Sequence, residues 1–459
     1  MNIPEDIIKN HAHLSKTSIA FLDFIKTQPS ALSKSSFKVL FSDPRTISFK
    51  MQPWPAFINK KMKFEFKKST EGIFKLITQI PGRIFDSDTE KIARYYGISR
   101  DKAEYFLYGN REEDMAYLLG RGDFIISNTN ELKCIEFNVQ SSLGGLEADF
   151  LEQVYTGLPI ISKFLKDYKV KYQPNQISLF NSLLENILNF LVSRFGINQL
   201  KCIEINIALT FPDQNYEYRD FVQLLFNQIY KKFLKQRNLN TNGEIVFCTF
   251  GAMQVENHSV MVQGKKIMFI FEFSMGNVPQ SIMDVVNYGS LLLLNGPISQ
   301  LLSDKLNFAL LSENQDTDIF NMQEREIIKK YIPWTRKVVP DLEEFILTHQ
   351  DQLVLKPSGE CGGKNVTLGS AVSPDIWKQN IKFALSNEKY IVQKIVQSAM
   401  YMYQYGEQGV HPHEAIWGIF SMGGSYAGGW VRIMPQTKEK KVINSTQGAS
   451  ETIIIEVEE

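Results

Sequence analysis

The chain has 459 residues, of which 44% are hydrophobic and 22% are charged. This length exceeds what one hydrophobic core usually covers, so we expect two or three packed units, and the composition excludes a disordered chain. Lysine plus arginine equals aspartate plus glutamate at 50 each, so the formal net charge is zero. Without an excess of positive charge, nucleic acid and anionic membrane surfaces are excluded as main partners.

The N-terminus lacks the charged-then-apolar order of a signal peptide, and apolar runs such as Leu291 to Leu294 are too short to span a bilayer. We therefore expect a cytoplasmic protein with no membrane partner. The four cysteines are widely separated and form no CxxC pair, so they are predicted to be buried free thiols. His411 and His413 have no third ligand nearby, which favours a structural interpretation over a metal site.

Residues 1–118 are predicted to be mainly helical, because apolar residues recur at helical spacing, most clearly between Ile92 and Leu107. The next unit, residues 119–160, opens with two apolar strands separated by Asn-Thr-Asn. Such a polar turn between apolar runs predicts a β-hairpin.

Residues 161–290 alternate between helical and strand patterns. We predict helices at 179–195 and 218–234 and strands at 202–209 and 244–250. This alternation is typical of a parallel sheet, so the unit is predicted to be Rossmann-like. It has no GxGxxG fingerprint, so no dinucleotide site is predicted there.

The last unit, residues 291–459, mixes short helices and strands, and its polar segment 312–322 is predicted to be a mobile loop. Residues 353–369 are the strongest local motif: a strand ending in Lys356, a glycine-rich loop and a returning strand. Gly359, Gly362 and Gly363 let backbone N–H groups approach an anion, and Lys356 adds a positive charge. Phosphate is the predicted ligand. A glycine-containing structural hairpin is the alternative.

The hairpin of residues 119–160 carries complementary chemistry. Arg121 and Asp123 precede the turn, and Glu136 and Asn138 follow it. Glu-x-Asn points to one side of a strand, because side chains alternate with period two. The oxygens of Asp123, Glu136 and Asn138 suit Mg²⁺, which takes one or two carboxylates together with phosphate oxygens. A polar strand edge is the alternative interpretation.

Together the two motifs resemble the ATP-grasp superfamily, in which an Asp and a Glu-x-Asn on adjacent strands hold the metal and a Lys with a glycine-rich loop holds the nucleotide. The metal strands here precede the Lys356 loop by more than two hundred residues. That order is similar to the circularly permuted branch, which includes the synthetase domain of glutathionylspermidine synthase. The resemblance implies an α/β (α+β) ATP-grasp fold in permuted order, with a Rossmann-like pre-ATP-grasp unit and a helical N-terminal region.

The resemblance also implies further nucleotide-binding residues. Lys305 stands where the family has its first nucleotide-binding lysine, and Arg336 is an alternative for that role. Residues 390–396 resemble the strand whose backbone recognises adenine, with Gln393 and Ile395 as the implied contacts. Arg432 stands where the family places an arginine that faces the phosphates.

The implied activity is a carboxylate–amine ligase that uses ATP and Mg²⁺, forms an acyl phosphate and passes the acyl group to an amine. Arg121 or Arg432 is the implied donor to the oxyanion of the tetrahedral intermediate. The implied partners are a small-molecule or peptide carboxylate and an amine acceptor. Two alternatives stay open, a nucleotide-binding regulatory protein without turnover and a phosphotransferase of the same fold.

Overall fold

The computed structural model describes residues 3–27, 50–109, 112–141, 143–145, 148–172, 179–210, 219–273, 278–360, 362–405, 409–436, 443–444 and 448–459. Within these ranges the chain is a mixed α/β protein whose strands form three sheets. None of the helices in the described ranges is both long and apolar enough to cross a membrane.

The described residues of the N-terminal region form helices and a short strand: α1 (Glu5–Leu14), α2 (Lys16–Lys26), β1 (Ala56–Ile58), α3 (Lys60–Phe85), α4 (Thr89–Tyr96) and α5 (Arg100–Leu107). Helix α3 begins at the N-cap Asn59, whose side chain accepts a hydrogen bond from the backbone N–H of Met62. Its buried face includes Phe66 and Ile73, which are 0% exposed. This face anchors the region on the sheet that contains the hairpin.

The described residues between 119 and 200 form the predicted hairpin and four helices: β2 (Leu119–Ile126), β3 (Leu132–Asn138), α6 (Ala148–Gly157), α7 (Pro159–Asp167), α8 (Leu179–Phe195) and α9 (Ile197–Leu200). Strands β2 and β3 pair antiparallel. Asn130 in the turn has a φ of 63°, a left-handed conformation that asparagine tolerates better than most residues. The hairpin and the helix over 179–195 are thus present as predicted.

The described residues of the next unit form one sheet and two helices: β4 (Asn206–Thr210), α10 (Arg219–Gln236), β5 (Ile245–Cys248), β6 (Gln254–Glu256), β7 (Ser259–Val262), β8 (Lys265–Glu272), α11 (Gln280–Tyr288) and β9 (Leu292–Leu294). Strands β5, β4, β8 and β9 are parallel, while β6 and β7 are antiparallel additions.

Both predicted strands of this unit were too long. Strand β4 starts at Asn206, because residues 201–203 form a turn after the short helix α9. Strand β5 ends at Cys248, because Phe250 begins a 3₁₀ turn. Apolar composition marked these strands, but the neighbouring turns set their ends.

The following segment forms a small antiparallel sheet and its covering helices: α12 (Ile298–Leu302), α13 (Leu306–Glu313), α14 (Met322–Tyr331), β10 (Thr335–Lys337), α15 (Glu343–Thr348), β11 (Leu353–Pro357), β12 (Thr367–Leu368), α16 (Pro374–Asn387) and β13 (Tyr390–Lys394). The strand order is β10-β13-β11-β12. The loop predicted at 312–322 is shorter, because Ser312 lies buried in α13 and accepts a hydrogen bond from the backbone N–H of Thr335. Its other end is set by Asn321, which forms a capping box with Glu324.

The C-terminal strands are β14 (Met400–Gln404), β15 (Val410–Met422), β16 (Ser425–Pro435) and β17 (Ser450–Glu456). They form the largest sheet together with β1 and the hairpin, in the order β1-β17-β16-β15-β2-β3, with β14 beside β15. Asp123 of β2 lies opposite Gly418 of β15. This pairing brings the hairpin motif next to strands almost three hundred residues later in the chain.

The cysteines depart in part from the prediction. Cys134 and Cys248 are buried free thiols, whereas Cys202 is exposed because it lies in the turn between α9 and β4. Cys361 lies outside the described residues. His413 is 1% exposed, and its Nδ1 lies 2.7 Å from the carbonyl oxygen of His411. No cluster of three His, Cys, Asp or Glu side chains suited to a metal occurs among the residues described.

The stability of this fold is expected to fall in mild acid, because His11 is buried and its uncharged form is required. Its Nε2 accepts a hydrogen bond from the backbone N–H of Met402, and Nδ1 contacts Ser18 Oγ at 2.8 Å. Burial lowers the pKa of His11 from 6.5 to about 3. Between these values the unfolded chain binds more protons, so the free energy of unfolding falls as pH decreases from 6.5, by roughly 1.4 kcal/mol per pH unit at most.

Urea denaturation from pH 7 to pH 4.5 measures this slope. We expect a shallower slope in His11→Gln and an unchanged slope in the control His258→Gln, whose side chain is exposed. Identical slopes in His11→Gln and the unmodified protein would show that another group controls acid stability.

Candidate functional site

The hairpin places four polar side chains on one face. Asp123 lies directly opposite Glu136, and Arg121 lies directly opposite Asn138. Opposed residues of an antiparallel pair point to the same side of the sheet, and i and i+2 positions share that side. Arg121, Asp123, Glu136 and Asn138 therefore meet at one place, as the spacing of the two motifs predicted.

Asp123 is held by two arginines. Arg121 Nε donates to Oδ1 at 2.9 Å, and Arg432 Nη2 lies 2.7 Å from Oδ2. Burial alone would raise the pKa of Asp123, but the charges of Arg121 and Arg432 outweigh it and hold the pKa at about 2. Asp123 is thus an anion at any ordinary pH, and both of its oxygens contact guanidinium groups.

Two contacts that the sequence did not predict hold Arg121 in position. Its Nη1 donates to the carbonyl oxygen of Leu143 at 2.6 Å, in the Ser-Ser-Leu-Gly-Gly segment after β3. Its side chain also crosses Gly418, where an added Cβ would lie 2.9 Å from Arg121 Cδ. Any side chain at position 418 would therefore require the arginine to shift. Neither residue has a local sequence signal. The contact with Gly418 depends on the pairing of β2 with β15, and the contact with Leu143 depends on the path of the chain after β3.

Lys305 lies at the start of α13 and connects the hairpin to the glycine-rich loop. Its Nζ is 3.3 Å from Glu136 Oε1 and donates to the carbonyl oxygen of Glu360. Its backbone N–H donates to the carbonyl oxygen of Ser358 at 3.0 Å. The Lys305 side chain is 7% exposed, so this cation is held close to Glu136 in a largely dry position.

The two residues before Lys305 also contact the hairpin and the glycine-rich loop, and the sequence did not predict these contacts. Ser303 Oγ accepts from the backbone N–H of Val139 at 2.8 Å, directly after Asn138. Asp304 Oδ2 accepts from Ser358 Oγ at 3.2 Å. A run of three polar residues within the apolar sequence LLSDKLNF was the available signal. The segment ties β3 to the glycine-rich loop.

Lys356 is the most unusual group of the site. It is 7% exposed, and its Nζ donates to Gln393 Oε1 at 2.7 Å and to the carbonyl oxygen of Ile135 at 3.1 Å. Among the described residues it has no carboxylate within ion-pair distance, and both of these hydrogen-bond partners are neutral. The pKa of Lys356 is lowered to about 8, chiefly by burial; the charge of Glu136 opposes this shift and the charge of Lys305 contributes to it.

Gln393 fixes this lysine from the neighbouring strand. Its Oε1 accepts from Lys356 and its Nε2 donates to Thr335 Oγ1 at 3.0 Å. These bonds leave the Gln393 side chain, 1% exposed, with both ends in use. Ile395 is only partly buried, and its backbone N–H already donates to the carbonyl oxygen of Gln352 at 2.8 Å.

Arg336 does not lie with the side chains of this candidate site. It lies opposite Val392, which packs in the helix-covered core of the small sheet, whereas Lys356 and Gln393 point to the other face. Its Nη1 donates to Ser312 Oγ at 2.8 Å, and its guanidinium lies 4.9 Å from the Trp334 ring. The structure therefore brings Lys305, and not Arg336, to the side of the hairpin motif.

The glycine-rich loop lies beside Lys305. Gly362 and Gly363 have φ values of 74° and 71°, in the left-handed region that favours glycine. A Cβ added at Gly362 would meet nothing within 4 Å, so the loop is open around this position. The Asn365 side-chain amide donates to the Glu360 carboxylate at 2.9 Å.

No protein-family model matches this chain, and no curated protein matches it. A crystal structure from Methylobacillus flagellatus KT, named "Putative gamma-glutamylcysteine synthetase", superposes with a TM-score of 0.40 at 10% sequence identity. The match covers 84% of this chain and 88% of that chain. Similarity at this level does not assign a function to the chain.

Proposed function

We propose that the chain is an ATP-dependent ligase of the circularly permuted ATP-grasp type, which joins a carboxylate to an amine through an acyl phosphate. The observation that carries this proposal is Lys356, a buried cation whose hydrogen-bond partners are neutral, facing a second buried cation, Lys305. Burying a charge without a counterion is costly, so such a group is expected where an anionic ligand supplies the countercharge.

The surroundings favour a phosphate group as that anion. Lys305 and Lys356 repel each other, and a phosphate between them would relieve the repulsion. The loop from Gly359 to Gly363 lies beside Lys305 and offers backbone N–H groups to the same ligand. Lys305, Lys356 and the three glycines are thus the proposed nucleotide-binding set, with Gln393 orienting Lys356.

The donor set beside these lysines fits Mg²⁺. Asn138 is 8% exposed, and its side-chain amide has no hydrogen-bond partner among the described residues. Glu136 faces the same place, and Asp123 keeps lone pairs beyond those that contact the arginines. When bound, Mg²⁺ would neutralise charge on the transferring phosphate.

In the proposed reaction a substrate carboxylate attacks the γ-phosphorus of ATP, which breaks the β–γ bridge and releases ADP. Lys356 and Lys305 stabilise the charge that develops on the phosphate oxygens. An amine then attacks the acyl carbon, and phosphate leaves together with the amine's proton. Arg121 and Arg432 are the proposed donors to the oxyanion of this second step, since Asp123 holds both in place.

An ADP-release assay tests the function. Purified protein is incubated with Mg-ATP and pooled carboxylates, with and without pooled amines. ADP release that requires both a carboxylate and an amine supports the ligase. Release with a hydroxyl acceptor instead of an amine would indicate the phosphotransferase, and ATP binding without release in any pool would indicate a regulatory protein.

The glycine-rich loop is expected to become ordered when nucleotide binds. Gly362 and Gly363 contribute no side-chain packing, so the closed position depends on few contacts, such as that of Lys305 with Glu360. Hydrogen exchange at residues 359–365 should be fast without nucleotide and slow with a Mg²⁺-bound ATP analogue. Helix α16 serves as an internal control. Equal protection of the loop in both states would mean that it is a rigid hairpin.

A further inference from the structure

The amine-transfer step of the proposed reaction needs a group that removes a proton. An amine of ordinary basicity is an ammonium ion near neutral pH, and in that form its nitrogen has no lone pair with which to attack the acyl carbon. Arg121 and Arg432, the proposed oxyanion donors, are cations and cannot accept this proton. A proton acceptor is therefore expected elsewhere, within reach of the acyl phosphate.

A cavity of about 270 Å³ adjoins the proposed nucleotide site. Its wall includes Asn138, Lys305 and Gly359, which the proposed site uses. The volume lies below the roughly 300–1,000 Å³ of pockets for drug-sized ligands, so it suits a small amine. The wall mixes the two signs of charge, and its other charged side chains are Lys102, Glu272, Asp304, Glu360 and Lys389.

Asp304 is the carboxylate of this wall that lies beside the glycine-rich loop and is not taken up by another side-chain cap. It directly precedes Lys305, and a Cβ added at Gly359 would lie 3.9 Å from its Oδ2. Glu360 accepts hydrogen bonds from the Asn365 amide with both of its oxygens, at 3.2 and 2.9 Å. Glu272 ends β8, in the Rossmann-like unit. Asp304 is therefore the best-placed proton acceptor of the three.

Two donors fix the orientation of the Asp304 carboxylate. Its Oδ1 accepts from the backbone N–H of Leu306 at 2.8 Å, and its Oδ2 accepts from Ser358 Oγ at 3.2 Å. Each carboxylate oxygen has two lone pairs, so each keeps one beyond these bonds. Asp304 is partly exposed and lines the cavity, whereas Ser358 is 2% exposed. A ligand in the cavity can thus reach the carboxylate while Ser358 holds it in place.

The surroundings make Asp304 a stronger base than an exposed aspartate. Burial raises the pKa of Asp304 above its ordinary value. The hydrogen bonds from Leu306 and Ser358 and the charges of Lys305 and Lys389 oppose this shift without cancelling it. General bases work best when their pKa approaches the pH at which they act, so the shift is in the useful direction. The other titratable groups influenced by the charge of Asp304 are Tyr95, Tyr96 and Lys337.

We propose that Asp304 is the general base of the amine-transfer step and takes a proton from the ammonium group of the acceptor bound in this cavity. The lone pair freed on nitrogen forms the C–N bond to the acyl carbon, the C–O bond to the phosphate breaks, and a second proton of the nitrogen leaves with the phosphate. Asp304 then gives its proton to water. This inference rests on the proposed function, because it assigns a residue to the second step of that reaction.

The test separates activation of the carboxylate from transfer to the amine. Asp304→Asn removes the basic group, while the asparagine amide can still accept from Leu306 and contact Ser358. ADP release is measured with Mg-ATP, the pooled carboxylates and the pooled amines. In a parallel series hydroxylamine replaces the amines, and hydroxamate is measured. Hydroxylamine is largely uncharged at neutral pH, so it attacks an acyl phosphate without a base.

We expect Asp304→Asn to reduce amine-dependent ADP release by about 10²–10⁴-fold, the usual contribution of a general base, and to keep hydroxamate formation close to that of the unmodified protein. Asp304→Ser, which also keeps an oxygen acceptor for Leu306, is the second variant if the first does not fold. The control is Asp88→Asn, since Asp88 is exposed and accepts from backbone N–H groups at the start of α4. It should change neither reaction.

The remaining outcomes contradict the inference in distinguishable ways. Unchanged amine-dependent ADP release in a folded Asp304 variant would show that Asp304 only orders the start of α13. Equal loss of both reactions would show that it acts before amine transfer, and either result would overturn its role as the base while leaving the ligase function intact. Failure of the unmodified protein to form hydroxamate with Mg-ATP and any carboxylate of the pool would overturn the proposed function and the inference together.

Discussion

Replacing Glu136 by Gln is expected to reduce ADP release by about 10²–10³-fold, since several kcal/mol of charge stabilisation depend on a metal ligand at the transferring phosphate. The substitution keeps the size of the side chain and removes only its charge. Glu136 lies opposite Asp123, and its carboxylate is 3.3 Å from Lys305 Nζ, so the substitution would also remove this ion pair. Asn138→Ala is expected to give a loss in the same direction.

The measurement is steady-state ADP release over a range of Mg²⁺ concentrations, with thermal denaturation to show that the variant is folded. Glu131→Gln, an exposed carboxylate in the turn of the same hairpin, is the matched control and should keep full activity. If Glu136→Gln turned over at the rate of the unmodified protein, Glu136 would be no metal ligand and the hairpin motif would be a polar strand edge.

The parts of the site that the sequence predicted are those fixed by local spacing. Glu136 and Asn138 had to share a face because they are two residues apart on a strand. The run from Lys356 to Gly363 had to be a strand followed by an irregular loop, because an apolar run ends there in closely spaced glycines. Such features depend on a few neighbouring residues, so one sequence is enough to find them.

The parts that the sequence could not predict depend on which strands become neighbours. Arg432 reaches Asp123 because β15 pairs with β2 on one side and with β16 on the other. Gly418 permits Arg121 to cross that pairing. Strand order over hundreds of residues leaves no periodic signal in the chain, so these contacts become visible only in the folded structure.

Arg336 is a residue that the sequence suggested for the site and that the strand register places outside it. It is a cation shortly before the Lys356 strand, and its position in sequence made it an alternative to Lys305. The register of β10 against β13 places it opposite Val392 and thus on the helix-covered face. A shift of one residue in that register would have turned its side chain towards Lys356, because successive side chains point to opposite faces.

Replacing Lys356 by Met is expected to weaken nucleotide binding by about 10–100-fold, the range for a hydrogen bond to a charged group. Methionine has a similar length and no charge, so the variant separates the loss of the cation from a change in packing. Lys394→Met is the matched control, since Lys394 is exposed on the adjacent strand and points away from the site. Calorimetry with a non-hydrolysable ATP analogue measures both affinities.

The pKa of Lys356 provides a second test of the proposed contact between Lys356 and the nucleotide phosphates. Burial lowers this pKa to about 8, so without nucleotide the amine is largely uncharged at pH 9. A bound phosphate favours the charged form and raises the pKa, so nucleotide binding between pH 8 and 9 should take up protons and affinity should fall as pH rises through that range. Titrations in two buffers of different ionisation enthalpy measure the uptake. Proton uptake that persists in Lys356→Met, or an affinity unchanged by that substitution, would show that the phosphates bind elsewhere.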